Sequence, residues 1–225
     1  MENIMTELII IRHGETDWNR QQRFQGQIDV PLNAAGRAQA ERLARRLASE
    51  SFDAVVASDL QRAFATAQAA AGARPIEVDP LWREQAFGVV EGLDAATIAQ
   101  QHPELWAQWL RHDADYALPG GGESVRAFHD RVLRGLQRVV QAHAGRSVAV
   151  FTHGGVLDML WRAAQRLTLH GARSCEIPNT GINRLRWRDG SLHILQWADA
   201  AHLEGLPAQP DTVPLTLHSA VAPAV

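Results

Sequence analysis

Three short apolar runs, each stopped abruptly by polar residues, constrain the fold of this chain more than any other feature of its sequence. The runs occupy residues 8–11, 52–57 and 148–151. Apolar, β-branched runs of this length are typical of buried strands, and a helical pattern follows each of them. Right-handed crossovers would lay the three strands parallel, so that their carboxyl ends share one edge of a sheet.

Arginine and histidine residues occur where these strands end, which is the edge at which open α/β sheets bind ligands. Arg12 and His13 close the first run, Arg62 follows the second run, and His153 closes the third. Helices that begin after the second and third runs would direct their positive amino ends toward the same crevice. This convergence of cationic and hydrogen-bonding groups favours an anionic ligand.

Alternating strand and helix patterns along the chain are typical of the α/β class, and we expect a three-layer α/β/α sandwich with a mostly parallel central sheet. A single domain is expected over residues 1–225. Residues 81–122 lose the periodicity of their neighbours and are rich in aromatic side chains, so we expect a helical and loop insertion that caps the crevice. Residues 181–187 and 191–197 flank a turn signal and predict a hairpin. The tail, about residues 199–225, shows no period and is expected to be an extended arm or mobile.

Composition excludes several classes of function. The formal net charge of −3 disfavours nucleic acid and anionic membranes as partners. The chain contains no lysine, which rules out Schiff-base chemistry. The single cysteine, Cys175, allows no internal disulfide and is expected to be a buried apolar residue rather than a nucleophile. No run is long enough to cross a bilayer, and Glu2 and Glu7 argue against a signal peptide, so a reducing, cytoplasmic location is expected.

Six motifs in a fixed order give the chain a resemblance to a known family. The motifs are Arg12-His13-Gly14-Glu15-Thr16, Ser58-Asp59-Leu60-Gln61-Arg62-Ala63, Arg83-Glu84, Phe87-Gly88 with Glu91-Gly92, Pro119-Gly120-Gly121-Gly122-Glu123-Ser124 and Thr152-His153-Gly154-Gly155. Each motif alone is a weak signal, but the ordered set resembles the histidine phosphatase superfamily, also called the phosphoglycerate mutase-like family. The resemblance covers about residues 7–197, and the pattern is most similar to that of the small broad-specificity phosphatases.

The resemblance implies a metal-independent phosphomonoesterase that works through a phosphohistidine on small phosphorylated metabolites, with no cofactor. It makes His13 the nucleophile that takes up the phosphoryl group, and Glu84 the general acid that protonates the leaving alkoxide. The attacking nitrogen of His13 must be unprotonated, so we expect a backbone carbonyl at the following turn to hold the proton on the other nitrogen. Inorganic phosphate would be the product of hydrolysis.

The other predicted site residues surround the phosphate dianion. Arg12, Arg62 and His153 are expected to offset its charge through charge-assisted hydrogen bonds, with His153 acting as a cation. Arg62 would lie in the first turn of a helix, where a bound anion explains a cation better than a structural role does. Further phosphate contacts are predicted for Asn19, Gln25, Gly26, Glu84 and Gly154. Ordinary loop hydrogen bonding explains Asn19 and Gln25 nearly as well, and no histidine pair shows metal-ligand spacing, so no metal is expected.

Two other functions stay open at the level of sequence. In the cofactor-dependent phosphoglycerate mutases a second phosphoglycerate hydroxyl accepts the phosphoryl group, and a Leu-Asn-Lys pattern and an Arg-Arg pair serve the substrate carboxylate. This chain has Gly92-Leu93-Asp94 and no lysine, so the phosphatase is favoured. A phosphate-binding module without catalysis is disfavoured because every expected reactive residue is present. The expected partners are small phosphate esters, and the exposed edge near residues 181–197 offers a surface for a homodimer.

Overall fold

A six-stranded mixed sheet forms the centre of the protein in the computed structural model, which describes residues 5–210. The strands are β1 (Thr6–Arg12), β2 (Ala54–Ala57), β3 (Ile76–Val78), β4 (Ser147–Thr152), β5 (Ile182–Arg188) and β6 (Ser191–Asp199). Their order across the sheet is β3-β2-β4-β1-β5-β6, and the first four strands of this order are parallel. The antiparallel hairpin of β5 and β6 completes the sheet at one edge. The predicted α/β class with a mostly parallel sheet is confirmed.

Helices cover both faces of the sheet. They are α1 (Asp17–Arg20), α2 (Ala34–Leu47), α3 (Gln61–Ala71), α4 (Ala95–Gln101), α5 (Pro103–Trp109), α6 (Val125–Ala142) and α7 (Gly154–Gln165). Side chains alternate along β1, so Ile9 and Ile11 pack with α2 and α3 while Leu8 and Ile10 pack with α6 and α7. Because both faces are covered, β1, β2 and β4 each contain a run of apolar residues, and these interior side chains each stabilise the fold by about 1.5–3 kcal/mol.

The register of the parallel strands brings the ends of β1, β2 and β4 to one level. Arg12 lies opposite Thr152, and Ala57 lies opposite Phe151. The N–H of His13 is then donated to the carbonyl of Thr152 over 2.9 Å, which continues the ladder past the end of β1. The residues that follow the three strands therefore lie side by side.

Residues 81–122 contain short 3-10 turns and the helices α4 and α5, and they build a small apolar cluster of their own. Phe87, Ile98 and Leu118 are buried in this cluster, and Trp106 and Trp109 pack against it. Trp82, by contrast, belongs to the main core beneath α6 and is 0% exposed. The first residues of the segment thus anchor it to the core, and the aromatic residues beyond them cover the crevice.

The chain after β6 turns back toward the carboxyl ends of the strands. The side-chain amide of Gln209 accepts a hydrogen bond from the N–H of Asn179 (2.7 Å) and donates one to its carbonyl (3.0 Å). The predicted arm is therefore packed against the protein as far as residue 210, and residues 211–225 lie outside the described residues, as does Glu2. No helix within residues 5–210 combines the length and apolarity needed to traverse a bilayer.

Candidate active site

His13 directly follows β1 and is buried at the base of a cavity formed by the strand ends. Its Nδ1 lies 2.7 Å from the carbonyl oxygen of Gly14. Since a carbonyl can only accept a hydrogen bond, Nδ1 carries the proton and Nε2 keeps its lone pair, as the sequence predicted. Burial, reinforced by the charges of Arg62 and Arg12, lowers the pKa of His13 well below the usual imidazole range. His13 is therefore an uncharged imidazole at neutral pH.

Close backbone packing fixes the turn that carries His13. A Cβ on Gly14 would lie 2.5 Å from the carbonyl oxygen of Gly36 in the first turn of α2, so only glycine fits this position. The N–H of Gly14 is donated to Oγ1 of Thr66 on α3 (3.0 Å), and the amide of Asn179 donates to the carbonyl of His13 (2.9 Å). Three separate segments thus hold the backbone around the imidazole.

Arg12 and Arg62 are both buried, and backbone carbonyls orient them. Arg12 donates from Nη1 to the carbonyl of Ile177 (2.6 Å), and Arg62 donates to the carbonyls of Ile28 (2.9 Å) and Gly26 (2.7 Å). Burial lowers the pKa of each guanidinium to about 10, so both stay positively charged at neutral pH. Within residues 5–210 neither has a carboxylate at salt-bridge distance, and the Nε of each is buried without a hydrogen-bond partner. Two buried cations held in this way are suited to a bound anion.

His153 lies beside His13, with 5.2 Å between the ring centroids. Its Nε2 lies 2.9 Å from Oγ of Ser58, an oxygen that also accepts from the N–H of Leu60. Its Nδ1 is buried and has no hydrogen-bond partner among the described residues. Burial, followed by the charge of Arg62, lowers the pKa of His153 well below the usual range. Burial and the neighbouring positive charges disfavour imidazolium in the absence of an anion, and the cationic role of His153 beside a bound phosphate stays a prediction.

Glu84 lies near the start of the segment of residues 81–122 and faces the two arginines. Its carboxylate accepts hydrogen bonds from the N–H of Gln85 (2.9 Å) and from the N–H of Gly155 in the first turn of α7 (3.0 Å). A Cβ on Gly155 would overlap the carboxylate, so the glycine leaves the space that Glu84 occupies. These two N–H groups hold the carboxylate at the junction of the first turn of α7 and the two arginines.

Most of the predicted residues line one cavity, which we call the phosphate cavity. Its predicted lining residues are Arg12, His13, Asn19, Gln25, Arg62, Glu84 and Gly154. Asn19 also caps α1, since its Oδ1 accepts from the N–H of Thr16 (3.0 Å), and Oε1 of Gln25 is buried with no partner among the described residues. His153 lies behind the lining rather than in it. Gly26 is not among the residues that line this cavity, its carbonyl accepts from Arg62, and its contact with phosphate stays a prediction.

Arg173 is the residue that the sequence analysis missed. It comes from the loop between α7 and β5 and lines the phosphate cavity beside Arg12. Its Nη1 is 3.8 Å from the point that a Cβ on Gly154 would occupy, and Nε of Arg12 is 3.5 Å from the same point. No strand end or turn signal precedes Arg173, so local pattern offers no means of finding it. Cys175, two residues later, has its pKa raised to about 12 by burial, in line with the expectation that it is not a nucleophile.

The fold and the site together define a class of protein: an α/β sandwich in which two imidazoles and two buried guanidinium groups converge at the ends of adjacent parallel strands. Residues 8–200 match the profile of the Histidine phosphatase superfamily (branch 1), and the chain belongs to this family. The resemblance inferred from the ordered motifs is thereby confirmed.

Relatives with established names are similar over most of their length. Phosphoglycerate mutase-like protein 4 of Arabidopsis thaliana is 40% identical over 204 residues, which are 88% of this chain and 87% of that protein. The metal-independent phosphoserine phosphatase of A. thaliana is 36% identical over 211 residues, 92% of this chain and 87% of that protein. A crystal structure of phosphoserine phosphatase from Entamoeba histolytica in complex with 3-phosphoglyceric acid superposes with a TM-score of 0.79 at 25% identity, over 88% of this chain and 99% of that one. The predicted class of enzyme, a phosphomonoesterase of the histidine phosphatase type, is confirmed.

Proposed function

We propose that this protein hydrolyses the monoesters of small phosphorylated metabolites through a phosphohistidine at His13. One observation carries the proposal: Nδ1–H of His13 is donated to the carbonyl of Gly14 over 2.7 Å, so the Nε2 lone pair is free to attack phosphorus. Arg12 and Arg62 lie close enough to depress the pKa of the same imidazole, and they supply the positive charge that a phosphate dianion requires.

In the first step Nε2 of His13 forms a bond to phosphorus while the bond between phosphorus and the ester oxygen breaks. The free Nε N–H groups of Arg12 and Arg62 donate to the phosphoryl oxygens as negative charge moves onto them. The buried Nδ1 of His153 has no protein partner among the described residues, and we propose that it donates to a phosphoryl oxygen once the charge of the bound dianion favours the imidazolium form. Charge-assisted hydrogen bonds of the kind that the arginines make typically contribute about 1.5–3 kcal/mol each.

Glu84 carries the proton in both steps. A phosphate dianion beside its carboxylate favours uptake of a proton, which Glu84 then gives to the leaving alkoxide. In the second step the carboxylate takes a proton from water, the water oxygen bonds to phosphorus, and the bond to His13 breaks. The products are the alcohol and inorganic phosphate, and both side chains return to their starting states.

Residues at the rim of the phosphate cavity make smaller contributions to binding of the phosphoryl group. We propose that Asn19 and Gln25 donate from their side-chain amides to phosphoryl oxygens, since both line the cavity. The backbone N–H of Gly154 begins α7 and offers the positive end of the helix to the same anion. Gly26 orients Arg62 through its carbonyl.

The substrates that we propose are small phosphate esters, with neither nucleic acid nor membrane as a partner. The named relatives act on phosphoserine or bind 3-phosphoglyceric acid, and the weakly negative chain does not attract polyanions. Pairing of two copies along the outer edge of β6 stays a prediction. A cytoplasmic location also stays a prediction, and the single unpaired Cys175 supports it.

The test is a screen of phosphorylated metabolites with the purified full-length chain, in which phosphate release is measured with and without a metal chelator. We expect release from a subset of the esters, at rates that the chelator does not change, because the scheme uses no metal. Binding of esters without any phosphate release, or loss of turnover in the chelator, would overturn the proposal. The first of these outcomes would identify a phosphate-binding module instead.

Phosphoglycerate mutase activity is the second candidate, because one of the similar proteins is named phosphoglycerate mutase-like. The phosphohistidine would be the same, but a hydroxyl of a second phosphoglycerate would accept the phosphoryl group. The chain has no lysine, and Asp94 caps α4 by accepting from the N–H of Thr97 (2.8 Å). Exchange of phosphate between phosphoglycerates, with little release to water, would select the mutase.

A further inference from the structure

Arg173 lies at the junction of two cavities. The second cavity, which we call the cap cavity, is lined by aromatic and apolar side chains, among them Trp109, Tyr116, Phe128, Met159 and Leu169, and by charged residues, among them Asp113, Glu123, Asp158 and Arg162. Glu84, Phe87 and Arg173 line both cavities, whereas Arg12 and Arg62 line the phosphate cavity alone. An ester bound with its phosphoryl group at His13 and its leaving oxygen at Glu84 therefore extends its alcohol past Arg173.

The guanidinium of Arg173 is not used by the protein itself. Across residues 5–210 it makes neither a hydrogen bond nor an ion pair, and its Nε is buried without a partner. Its positive charge lies close enough to Arg12 to depress the pKa of that guanidinium. Two neighbouring guanidinium groups repel each other, and no protein carboxylate lies between them at salt-bridge distance, so an anion from outside is needed to offset this repulsion.

The loop that carries Arg173 is held rigidly by another buried arginine. Arg162 donates four hydrogen bonds to backbone carbonyls of this loop, those of Thr168 (2.7 Å), His170 (3.3 Å), Gly171 (2.9 Å) and Ala172 (2.8 Å). Asp158, one turn earlier on α7, orients Arg162 through its Nε at 3.2 Å. A surface loop fixed in this way holds its cation at a defined position before a ligand arrives.

We propose that Arg173 binds a carboxylate on the alcohol portion of the substrate and thereby selects phosphate esters of hydroxy acids over those of uncharged alcohols. The inference rests on the proposed phosphatase function and names the substrate class for the same site. A planar guanidinium pairs with a planar carboxylate through two parallel hydrogen bonds, which suits the short distance between ester and carboxylate in such compounds. Arg12 and Arg62 bind the phosphoryl group, and Arg173 binds the carboxylate of the alcohol that is attached to it.

The test uses two pairs of esters whose members differ in one carboxylate. The pairs are 3-phosphoglycerate with glycerol 3-phosphate, and O-phosphoserine with O-phosphoethanolamine. We expect Arg173→Gln to lower kcat/KM for the better carboxylate-bearing ester by about 10- to 100-fold, the loss typical of one charge-assisted pair. Its carboxylate-free counterpart should lose less than about threefold, and Arg173→Lys should fall between wild type and Arg173→Gln.

Arg111→Gln is the matched control, because Arg111 is exposed beside the cap and lines neither cavity. Equal losses on both members of each pair would make Arg173 a third phosphate ligand, and no loss would remove it from the site; either result overturns the inference. A wild-type protein that hydrolyses the carboxylate-free esters as well as their partners overturns it too, yet leaves the proposed phosphatase function intact. Absence of phosphate release from every ester refutes the phosphatase itself.

Discussion

The phosphate cavity and the cap cavity share three lining residues but are built in different ways. The phosphate cavity lies at the ends of adjacent parallel strands, and its side chains are buried charged groups that backbone carbonyls hold in place. The cap cavity is bounded largely by aromatic and apolar side chains, of which Trp109 and Tyr116 come from the short elements of residues 81–122. In our proposal the strand ends hold the phosphoryl group, and the residues of the cap cavity contact the departing alcohol.

The difference extends to the type of contact that stabilises each region. Arg62 is 0% exposed and keeps its position through hydrogen bonds to Gly26 and Ile28. Trp109 is held by ring contacts, with its centroid 4.9 Å from that of Phe24 and 5.7 Å from that of Phe87. Directional bonds to buried charges tolerate little displacement, whereas ring contacts admit several arrangements of similar energy. The effects of substitutions in the two cavities should therefore differ in magnitude and in the kinetic constant that changes.

The largest effect is expected for Glu84→Gln, at the boundary between the cavities. Without an acid, alkyl phosphates with poor leaving groups should slow by about 10²–10⁴-fold, and p-nitrophenyl phosphate by less than tenfold, because its leaving group needs no proton. The measurement is kcat over a series of esters that differ in the pKa of the leaving alcohol. Glu104→Gln, on the exposed side of α5, is the control and should leave the series unchanged.

Gly155→Ala sharpens this prediction, because the added Cβ displaces the Glu84 carboxylate without changing its chemistry. The double variant with Glu84→Gln should be little slower than Glu84→Gln alone if the glycine acts only through that carboxylate. A loss that is the same for alkyl and aryl phosphates would remove Glu84 from the acid role.

The second effect concerns stability and comes from the phosphate cavity. Burial lowers the pKa of both His13 and His153, so below about pH 6.5 the unfolded chain binds protons that the folded protein does not. The free energy of unfolding should then fall by about 1.4 kcal/mol per pH unit for each histidine as the pH drops from 6.5 toward 5. Urea unfolding at several pH values measures this slope, which His13→Gln combined with His153→Gln should reduce. Equal slopes in wild type and variant would contradict the assignment of this pH dependence to the two buried histidines.

The smallest effect is expected in the cap cavity. Trp109→Ala removes ring contacts with Phe24 and Phe87 and should raise KM for bulky esters several-fold. The kcat for p-nitrophenyl phosphate should change by less than about twofold, because Trp109 contacts none of the residues to which the scheme assigns a part in phosphoryl transfer. Trp187→Ala on β5, which lines neither cavity, is the control. A loss of kcat as large as that of Glu84→Gln would contradict the proposal that the cap cavity contacts only the alcohol portion of the ester.

The same contrast explains what the sequence could predict. His13, Arg62 and His153 each lie within a few residues of a strand end, and parallel register alone brings such positions together. Arg173 and Gln209 reach the site through loops that follow no period, so nothing local marks them. Their placement depends on contacts between distant parts of the chain, such as the hydrogen bonds from Arg162.

Two further properties of the site depend on features that no local sequence pattern reveals. The orientation of the peptide at Gly26 decides whether a carbonyl or an N–H faces the cavity, and a sequence does not encode that orientation in a visible pattern. The charge of His153 follows from complete burial next to Arg62, which only the three-dimensional arrangement reveals.

The central claim is that His13 is an uncharged nucleophile that accepts the phosphoryl group. The most direct measurement is rapid acid-free quenching of the enzyme with a radiolabelled phosphate ester, followed by a test of whether the protein-bound label survives acid. Wild type and His193→Ala, a variant at an exposed position of β6, should carry a label that acid removes, and His13→Ala should carry none. A label that persists in His13→Ala, or that resists acid in the wild type, would contradict the account.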